Sequence, residues 1–353
     1  MGNTKKISSN EKFHFWGIKI PISYVFLALI LAIAATYLYT TSIDTKRTEA
    51  NSDTPINDSP YLIKRMSGYK FIRPLISAKP IYEYPGYEKI KKSISDLILS
   101  YQDKGIVSSV SFYMRDFDQS NWIAINNSER YFLGSIIKIP ILMALLKTGE
   151  HQPQFLNQGV IYNMKFNFAE EKKQSFISKQ IEFGKIYTIR QLLEYMIENS
   201  DNNAAQLLWL KTDKEYLRKL FKEFGLPELD LTKSNIAFNV SECSTFLESL
   251  VNATYLNKEQ SEFAIDLLSR SDFKEGIVKG IPDSKILIAH KFGETGSEKF
   301  KELHETAIIY INDHTYLFTI MTRGKQGTDF PKLATVIQEI AHTAYNELNN
   351  QKN

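Results

Sequence analysis

Three short motifs in this 353-residue sequence carry side chains that could perform acyl transfer. Ser-x-x-Lys occurs four times, and the matches start at Ser9, Ser67, Ser135 and Ser271. Only Ser135-Ile136-Ile137-Lys138 opens a strongly apolar helical pattern, and a helix start offers free N–H groups and a positive dipole end. Residues i and i+3 share a helix face, so the Lys138 amine can reach the Ser135 hydroxyl. Taken alone, this tetrad is explained more simply by a capping serine and a surface lysine.

The second motif, Ser200-Asp201-Asn202, lies between two helical patterns, TIRQLLEYMIEN and NAAQLLWL. At this composition the tripeptide is expected by chance about 0.1 times in such a chain, and it occurs once. Its hydroxyl, carboxylate and amide are groups that could move protons or hold a substrate. The alternative interpretation is a helix cap, in which these side chains bond only to nearby backbone.

The third motif is a Lys-x-Gly sequence, and its position decides which copy matters. The literal Lys147-Thr148-Gly149 lies at the end of the helix that Ser135 opens, where Lys and Gly form an ordinary C-terminus, so we interpret it as a decoy. The functional candidate is Lys291-Phe292-Gly293, which ends an apolar strand (ILIAH) and precedes Glu294-Thr295-Gly296.

Periodicity predicts which elements position these motifs. Residues 87–102 are spaced as one helix face, 106–118 and 121–126 alternate as a hairpin, and 134–274 are mostly helical. Strand patterns return at 285–292, 304–311 and 315–322, with a tight turn at 312–314 before a final helix at 330–348. These elements predict a three-layer α+β fold, in which a five-stranded antiparallel sheet is covered by the first and last helices and an all-helical lobe is inserted.

Composition excludes several classes of protein. The 43 basic and 40 acidic residues leave a formal charge of +3, too small for a basic nucleic-acid footprint across the whole chain. A single cysteine, Cys243, excludes a disulfide framework and a cysteine-based metal site. We find no His-Glu-x-x-His motif, phosphate-binding glycine loop or Gly-x-Ser-x-Gly elbow, so no metal and no organic cofactor are expected.

The N-terminal segment has the pattern of a membrane anchor. Residues 21–43 carry no charge and would span roughly 34 Å as a helix, enough for a hydrocarbon core of about 30 Å. The lysine excess before this run predicts a cytoplasmic tail at 1–20 and an extracytoplasmic domain at 61–353. Residues 44–60 are polar and lack apolar periodicity, which predicts a linker. A cleaved signal peptide, with Ala32-Ile33-Ala34 as its cleavage site, is the alternative.

In this order and on these elements, the three motifs resemble those of active-site serine penicillin-recognising enzymes, class A β-lactamases above all. The resemblance covers Tyr61 to Leu348, and the segments ERYFLGSIIKIPILMAL, GKIYTIRQLLEYMIENSDNNAAQLL and ILIAHKFGE read like that family's corresponding segments. It implies the β-lactamase/transpeptidase-like fold, with a β-lactam or a peptidoglycan peptide as substrate.

The resemblance also implies roles for individual residues. Ser135 is expected to be the nucleophile, Lys138 to take its proton, and Ser200 to pass that proton towards the leaving nitrogen. The backbone N–H groups of Ser135 and Glu294 would form the oxyanion hole. Asn202 is expected to hold Lys138 and the side-chain amide of the substrate, and Lys291 to supply positive potential for the substrate carboxylate and for Ser200. The residues expected to bind substrate are Asn202, Lys291, Gly293 and Thr295.

Two departures from the family pattern concern binding and deacylation. Phe292 stands where the family has Thr or Ser, which removes a hydrogen bond to the substrate carboxylate that Thr295 could replace in part. Class A enzymes carry Glu-x-x-Leu-Asn in a loop between the second and third motifs, where this chain has Leu226-Pro227-Glu228-Leu229-Asp230 in a shortened interval. Leu226 aligns with the expected Glu, and Glu228 is the candidate deacylation base; an exposed loop acid is the alternative.

Three functions therefore remain open. The first is β-lactam hydrolysis by a membrane-tethered serine hydrolase. The second is a D,D-carboxypeptidase or transpeptidase acting on stem peptides, and the third is a penicillin- or muropeptide-binding sensor without turnover. Overall resemblance favours the first function, whereas Phe292 and the short loop favour the other two.

Overall fold

The computed structural model describes residues 12–15, 18–21, 60–166, 174–176, 178–227, 236–297, 299–311 and 313–350. The chain divides into two compact units, residues 1–59 and 60–353. The first contains an antiparallel pair of strands, β1 (Lys12–Phe15) and β2 (Ile18–Pro21). Residues 22–43 of the anchor and 44–59 of the linker lie outside the described residues. Within the described segments, no helix is both long and apolar enough to cross a bilayer.

A five-stranded antiparallel sheet forms the centre of the second unit, as the sequence predicted. Its strands are β5 (Val107–Asp116), β6 (Trp122–Ile125), β11 (Ile288–Gly296), β12 (Lys301–Ile311) and β13 (His314–Gly324), in the order β11-β12-β13-β5-β6. The edge strand β11 begins three residues later than predicted and continues to Gly296, paired with Lys301. Residues 293–296 lack an apolar alternation, so periodicity could not extend the strand this far.

One face of the sheet is covered by α1 (Glu88–Asp103) and by α9 (Phe330–Asn350), the first and last predicted helices. Ile90, Ile94 and Ile98 of α1 are buried with Val336 and Ile340 of α9 in the core on this face. Ile90 and Ile94 have the helical spacing from which the first of these helices was predicted, whereas Leu99, expected on the same face, is exposed.

The helical lobe packs on the other face of the sheet. Its helices are α2 (Lys138–His151), α3 (Ile189–Glu198), α4 (Asn202–Lys211), α5 (Lys214–Glu223), α6 (Val240–Val251) and α7 (Lys258–Ser269). The short α8 (Ile277–Gly280) instead packs against α9 in the core of the first face. The second core joins α2, which is buried along most of its length, to the sheet residues Ala289, Ile308 and Leu317. The mixed α+β architecture is thus confirmed. The inserted lobe is mainly helical, not all-helical as predicted, because three short strands lie within residues 134–274.

Three two-stranded ribbons complete the described structure. They pair β3 (Tyr61–Arg65) with β4 (Leu75–Pro80), β7 (Tyr131–Phe132) with β10 (Ala237–Phe238), and β8 (Gly159–Ile161) with β9 (Ile186–Thr188). The β7–β10 ribbon leads directly into the turn that carries Ser135.

Candidate active site

Ser135 lies in a 3₁₀ turn, Gly134–Ile137, that runs without a break into α2. Gly134 has a φ of 54°, a left-handed conformation that glycine adopts without steric cost. The turn is fixed at its start because Phe132 N donates to Glu302 Oε2 at 3.0 Å and Leu133 N donates to Ile236 O at 3.3 Å. The serine is therefore held at the beginning of a buried helix.

The turn and the edge strand β11 approach each other through two glycines. A Cβ placed on Gly134 would lie 2.6 Å from Glu294 O and 3.0 Å from Glu294 N. A Cβ placed on Gly293 would overlap Leu133 O and lie 3.0 Å from Ser135 N. Glycine at both positions lets the backbones touch, so the N–H groups of Ser135 and Glu294 lie at the same junction, where the oxyanion hole is predicted.

Lys138 is the centre of the hydrogen-bond network. Its Nζ donates to Ser200 O at 2.6 Å and to Asn202 Oδ1 at 2.9 Å, and it lies 3.2 Å from Ser200 Oγ. The carbonyl and the amide oxygen are acceptors only, so they take two N–H donors of the amine. A neutral Lys138 then keeps its lone pair for a hydroxyl proton.

Burial of Lys138 lowers the pKa of its amine from the ordinary lysine value to about 7, although the nearby Asp201 and Glu294 carboxylates act in the opposite direction. A substantial neutral fraction therefore exists near neutral pH. This is the protonation state that a general base requires.

The Ser-Asp-Asn motif forms a helix cap and also places polar groups at Lys138, so both interpretations of its sequence apply. Asp201 caps α4, since its Oδ1 accepts from Asn203 N at 2.8 Å, and its Oδ2 accepts from Ile181 N at 2.7 Å. Ser200 has a left-handed φ of 54°, which costs a non-glycine residue about 1–3 kcal/mol. With that backbone conformation, both the hydroxyl and the carbonyl of Ser200 lie at Lys138. The helix cap at Asp201 therefore fixes the backbone that places the hydroxyl and the carbonyl of Ser200 at Lys138.

Lys291 is fully buried, and its Nζ has no hydrogen-bond partner in the part of the chain that the structure describes. The centroid of the Phe292 ring lies 4.4 Å from this nitrogen. Burial, followed by repulsion from Lys138, lowers the pKa of Lys291 well below the ordinary range. A buried amine without a hydrogen-bonded acceptor is the arrangement expected where an anionic ligand supplies the missing charge.

Phe292 and Thr295 occupy different surroundings on β11. The Phe292 ring is buried and stacks on Phe273, with 4.2 Å between ring centroids. Thr295 is half-buried, and none of the side-chain hydrogen bonds of the described residues includes its hydroxyl. The hydroxyl absent at position 292 is therefore replaced by an aromatic contact, and a substrate role for Thr295 stays a prediction.

The segment Gln174–Phe176 lies against the site, although no motif indicated it. Gln174 Nε2 donates to Ser200 O at 3.0 Å, and Ser175 N donates to Glu294 Oε1 at 2.7 Å. Phe176 packs edge-to-face on Phe292, with 5.9 Å between centroids. The sequence contained one indication of this contact. Phe292 stands where the family has a hydroxyl residue, and a buried phenylalanine ring needs apolar neighbours such as Phe176.

Two further sequence expectations have different outcomes. Glu228 lies outside the described residues, so its candidacy as deacylation base stays a prediction. Lys147 of the decoy motif bonds to Glu150 Oε2 at 2.7 Å and to Tyr255 O at 2.8 Å. These partners are on α2 itself and in the loop before α7, which is an ordinary structural role.

Asp116, Asp118 and His314 form a polar cluster at the β5–β13 end of the sheet, with candidate ligand atoms within 4.8 Å of one another. Three of its four carboxylate oxygens already take part in hydrogen bonds. Asp116 Oδ1 accepts from the backbone N–H groups of Asp118 and Gln119, and Asp118 Oδ2 accepts from Thr315 N. These bonds explain the cluster as a turn-stabilising network.

The pKa of Lys138 predicts how acylation depends on pH. Protonated Lys138 has no lone pair, and the neutral fraction grows as the pH rises through about 7. The rate of covalent acylation should therefore rise about tenfold per pH unit below this value and level off above it. Stopped-flow acylation by a chromogenic cephalosporin measures the profile. A rate independent of pH between about 5 and about 9 would exclude Lys138 as the base.

The sheet, the inserted helical lobe and the serine–lysine–serine arrangement at their junction define a β-lactamase-like serine hydrolase fold. Residues 89–348 match the model described as the β-lactamase enzyme family. The chain belongs to that family, and the resemblance seen in its motifs is confirmed. No curated protein matches the chain.

Solved structures show the same fold at low sequence identity. A β-lactamase from Chitinophaga pinensis DSM 2588 is 15% identical with a TM-score of 0.63, and 74% of this chain and 100% of that one are covered. A β-lactamase from Francisella tularensis is 21% identical with a TM-score of 0.60, covering 74% and 99%. PBP-A is 17% identical with a TM-score of 0.59, covering 74% and 96%.

Proposed function

We propose that this protein is a membrane-anchored, extracytoplasmic serine hydrolase that is acylated on Ser135 by β-lactams and hydrolyses the β-lactam amide. The observation that carries the proposal is the environment of Lys138. A buried amine with a pKa of about 7 bonds to two acceptors, lies 3.2 Å from Ser200 Oγ and is three residues from a serine at a helix start. The proposal of a membrane anchor is based on the uncharged apolar residues 21–43 and on the lysines that precede them.

The geometry supports a sequence of proton transfers. Ser135 Oγ attacks the amide carbonyl while its proton passes to neutral Lys138, and the N–H groups of Ser135 and Glu294 stabilise the oxyanion. The C–N bond then breaks as the proton passes from Lys138 through Ser200 Oγ to the leaving nitrogen. Water attacks the resulting ester, which releases the acid and restores the serine hydroxyl.

Substrate recognition is assigned to Lys291 and Asn202. Lys291 would pair with the substrate carboxylate, which supplies the acceptor that its buried Nζ lacks. Asn202 holds Lys138 through Oδ1, so its Nδ2 remains to donate to the amide carbonyl of the substrate.

A second candidate function is favoured by Phe292. Its buried ring offers no hydroxyl to a β-lactam carboxylate. The alternatives are a D,D-carboxypeptidase or transpeptidase acting on stem peptides and a penicillin- or muropeptide-binding sensor that does not turn over. One PBP-A variant with this fold, 16% identical with a TM-score of 0.59, is an acyl-enzyme complex with penicillin G.

Intact mass followed over time distinguishes these functions. The full chain in detergent is mixed with a slight excess of benzylpenicillin. We expect an adduct that forms and then disappears while ring-opened product accumulates. A stable adduct would indicate a peptidase or a sensor and contradict β-lactam hydrolysis. The absence of any adduct would contradict the proposed acylation. Unchanged adduct decay in Glu228→Gln would exclude Glu228 as the deacylation base.

A further inference from the structure

The β3–β4 hairpin exposes large apolar side chains, and it precedes the residues that match the family model, 89–348. We use the name hairpin tip for residues 67–73, between the two strands. Phe71 is 86% exposed, Ile72 58% and Tyr69 48%. Leu62, Ile63, Leu75 and Tyr82 extend this exposed apolar surface along and beyond the strands. A concentration of large exposed apolar side chains in one hairpin marks an interaction site more often than single exposed residues do.

The same segment carries an excess of positive charge. Residues 61–84 contain five basic side chains and one acidic side chain, Glu83. Arg65, Lys70 and Arg73 are exposed at or beside the tip, next to the exposed aromatic and aliphatic groups. Apolar side chains bordered by cations are complementary to an anionic phospholipid surface, where the apolar groups enter the interface and the cations contact headgroups.

The backbone of the tip is fixed to the rest of the domain. Ser67 donates to Glu223 from its N–H at 2.8 Å and from its hydroxyl at 3.0 Å. Met66 N donates to Pro74 O at 2.9 Å, and Arg65 Nη1 donates to Arg73 O at 2.8 Å. The exposed side chains are thus presented by an ordered turn, which reduces the conformational entropy lost on binding.

We infer that the hairpin tip is a second membrane contact, which inserts Phe71 and Ile72 into the interface of an anionic bilayer. The proposed anchor adds to this inference. The predicted linker, residues 44–60, could span at most about 60 Å even when fully extended, so the proposed anchor would hold the domain near the bilayer. This last step rests on the proposed function, whereas the exposed apolar groups and the cations do not depend on it.

The first experiment uses the full chain reconstituted in vesicles that contain anionic phosphatidylglycerol. Phe71→Cys is labelled with an environment-sensitive fluorophore, while the native Cys243 is buried and therefore protected from labelling. We expect a blue-shifted emission that nitroxide lipids quench. The matched control is Ile186→Cys on β9, 69% exposed, whose label should remain unquenched. Equal, aqueous emission from both labels would overturn the inference.

The second experiment separates the tip from the anchor. Residues 60–353 form a compact unit that includes both cores, so this domain can be floated with vesicles without the anchor. Lys70→Gln/Arg73→Gln should lower the partition coefficient on anionic vesicles about thirtyfold. Lys185→Gln/Lys279→Gln changes the net charge equally on exposed residues elsewhere and should leave binding nearly unchanged.

The two experiments fail independently of each other. If the domain binds vesicles but the full chain does not integrate into them, the proposed anchor is contradicted and the membrane contact of the hairpin tip is supported. Equal binding of the domain to zwitterionic and anionic vesicles, or equal losses in both double variants, would overturn the tip. A domain that dimerises in solution and loses the dimer in Phe71→Ser would also overturn it, because the apolar surface would then contact a second copy.

Discussion

Ser135→Ala is expected to abolish covalent labelling by penicillin, whereas Ser67→Ala and Ser271→Ala leave it intact. Ser135 precedes the buried Lys138 by three residues and faces the edge strand at Gly293. Ser67 bonds to Glu223, and Ser271 is buried after α7, so neither is assigned to the site. Fluorescent penicillin and intact mass spectrometry measure the labelling.

A loss of labelling has this meaning only if the variant is folded. The serine-to-alanine change removes one oxygen, so thermal unfolding should be nearly unchanged, and circular dichroism verifies this. Labelling that persists in Ser135→Ala would overturn the site assignment, and labelling lost in Ser271→Ala alone would identify Ser271, in the fourth Ser-x-x-Lys match, as the nucleophile.

The order of the elements could be predicted in part because the helices that cover the sheet bury one face, as α1 does. The α1 residues Ile90, Ile94 and Ile98 repeat at four-residue intervals and are all buried. The strand β12, by contrast, is buried at nearly every position, and its polar His304-Glu305 sequence is fully buried as well. Its position came from its length and its β-branched residues.

The surroundings of the site residues could not be predicted in the same way. Nothing local to Lys291 shows that its amine is fully buried, because the burial comes from contacts with segments distant in sequence. Gln174 reaches Ser200 across 26 residues of sequence through one side-chain hydrogen bond. Such contacts depend on the assembled fold, which a motif does not encode.

The β3–β4 hairpin was not predicted because its first strand has no buried face. The residues of β3 are exposed or half-exposed throughout. Since neither face of the strand is buried, its sequence has no alternation of apolar and polar side chains. The strand is kept in place by hydrogen bonds to the domain instead, such as Lys64 Nζ to Phe224 O at 2.7 Å. Periodicity therefore misses an element whose apolar residues face away from the core.

Gly293→Ala is expected to lower the rate of acylation by about 10²–10³ while the fold is retained. The added Cβ would overlap Leu133 O and lie 2.9 Å from Ile136 N and 3.0 Å from Ser135 N. These are backbone atoms, so the methyl group can be accommodated only if the nucleophile turn and the edge strand separate. The two N–H groups of the oxyanion hole would then no longer point to one position.

The matched control is Gly149→Ala, which changes the glycine of the decoy motif by the same methyl group. Its Cβ would lie 3.3 Å from Leu156 Cγ, a flexible side chain, at the end of the same helix α2. Acylation by a chromogenic cephalosporin should be unchanged in this variant and strongly reduced in Gly293→Ala, with thermal unfolding verifying both folds. Equal acylation rates in the two variants would mean that the contact between β11 and the serine turn does not position the oxyanion donors. Because both glycines follow a lysine by two residues, the comparison also tests directly which Lys-x-Gly sequence belongs to the site.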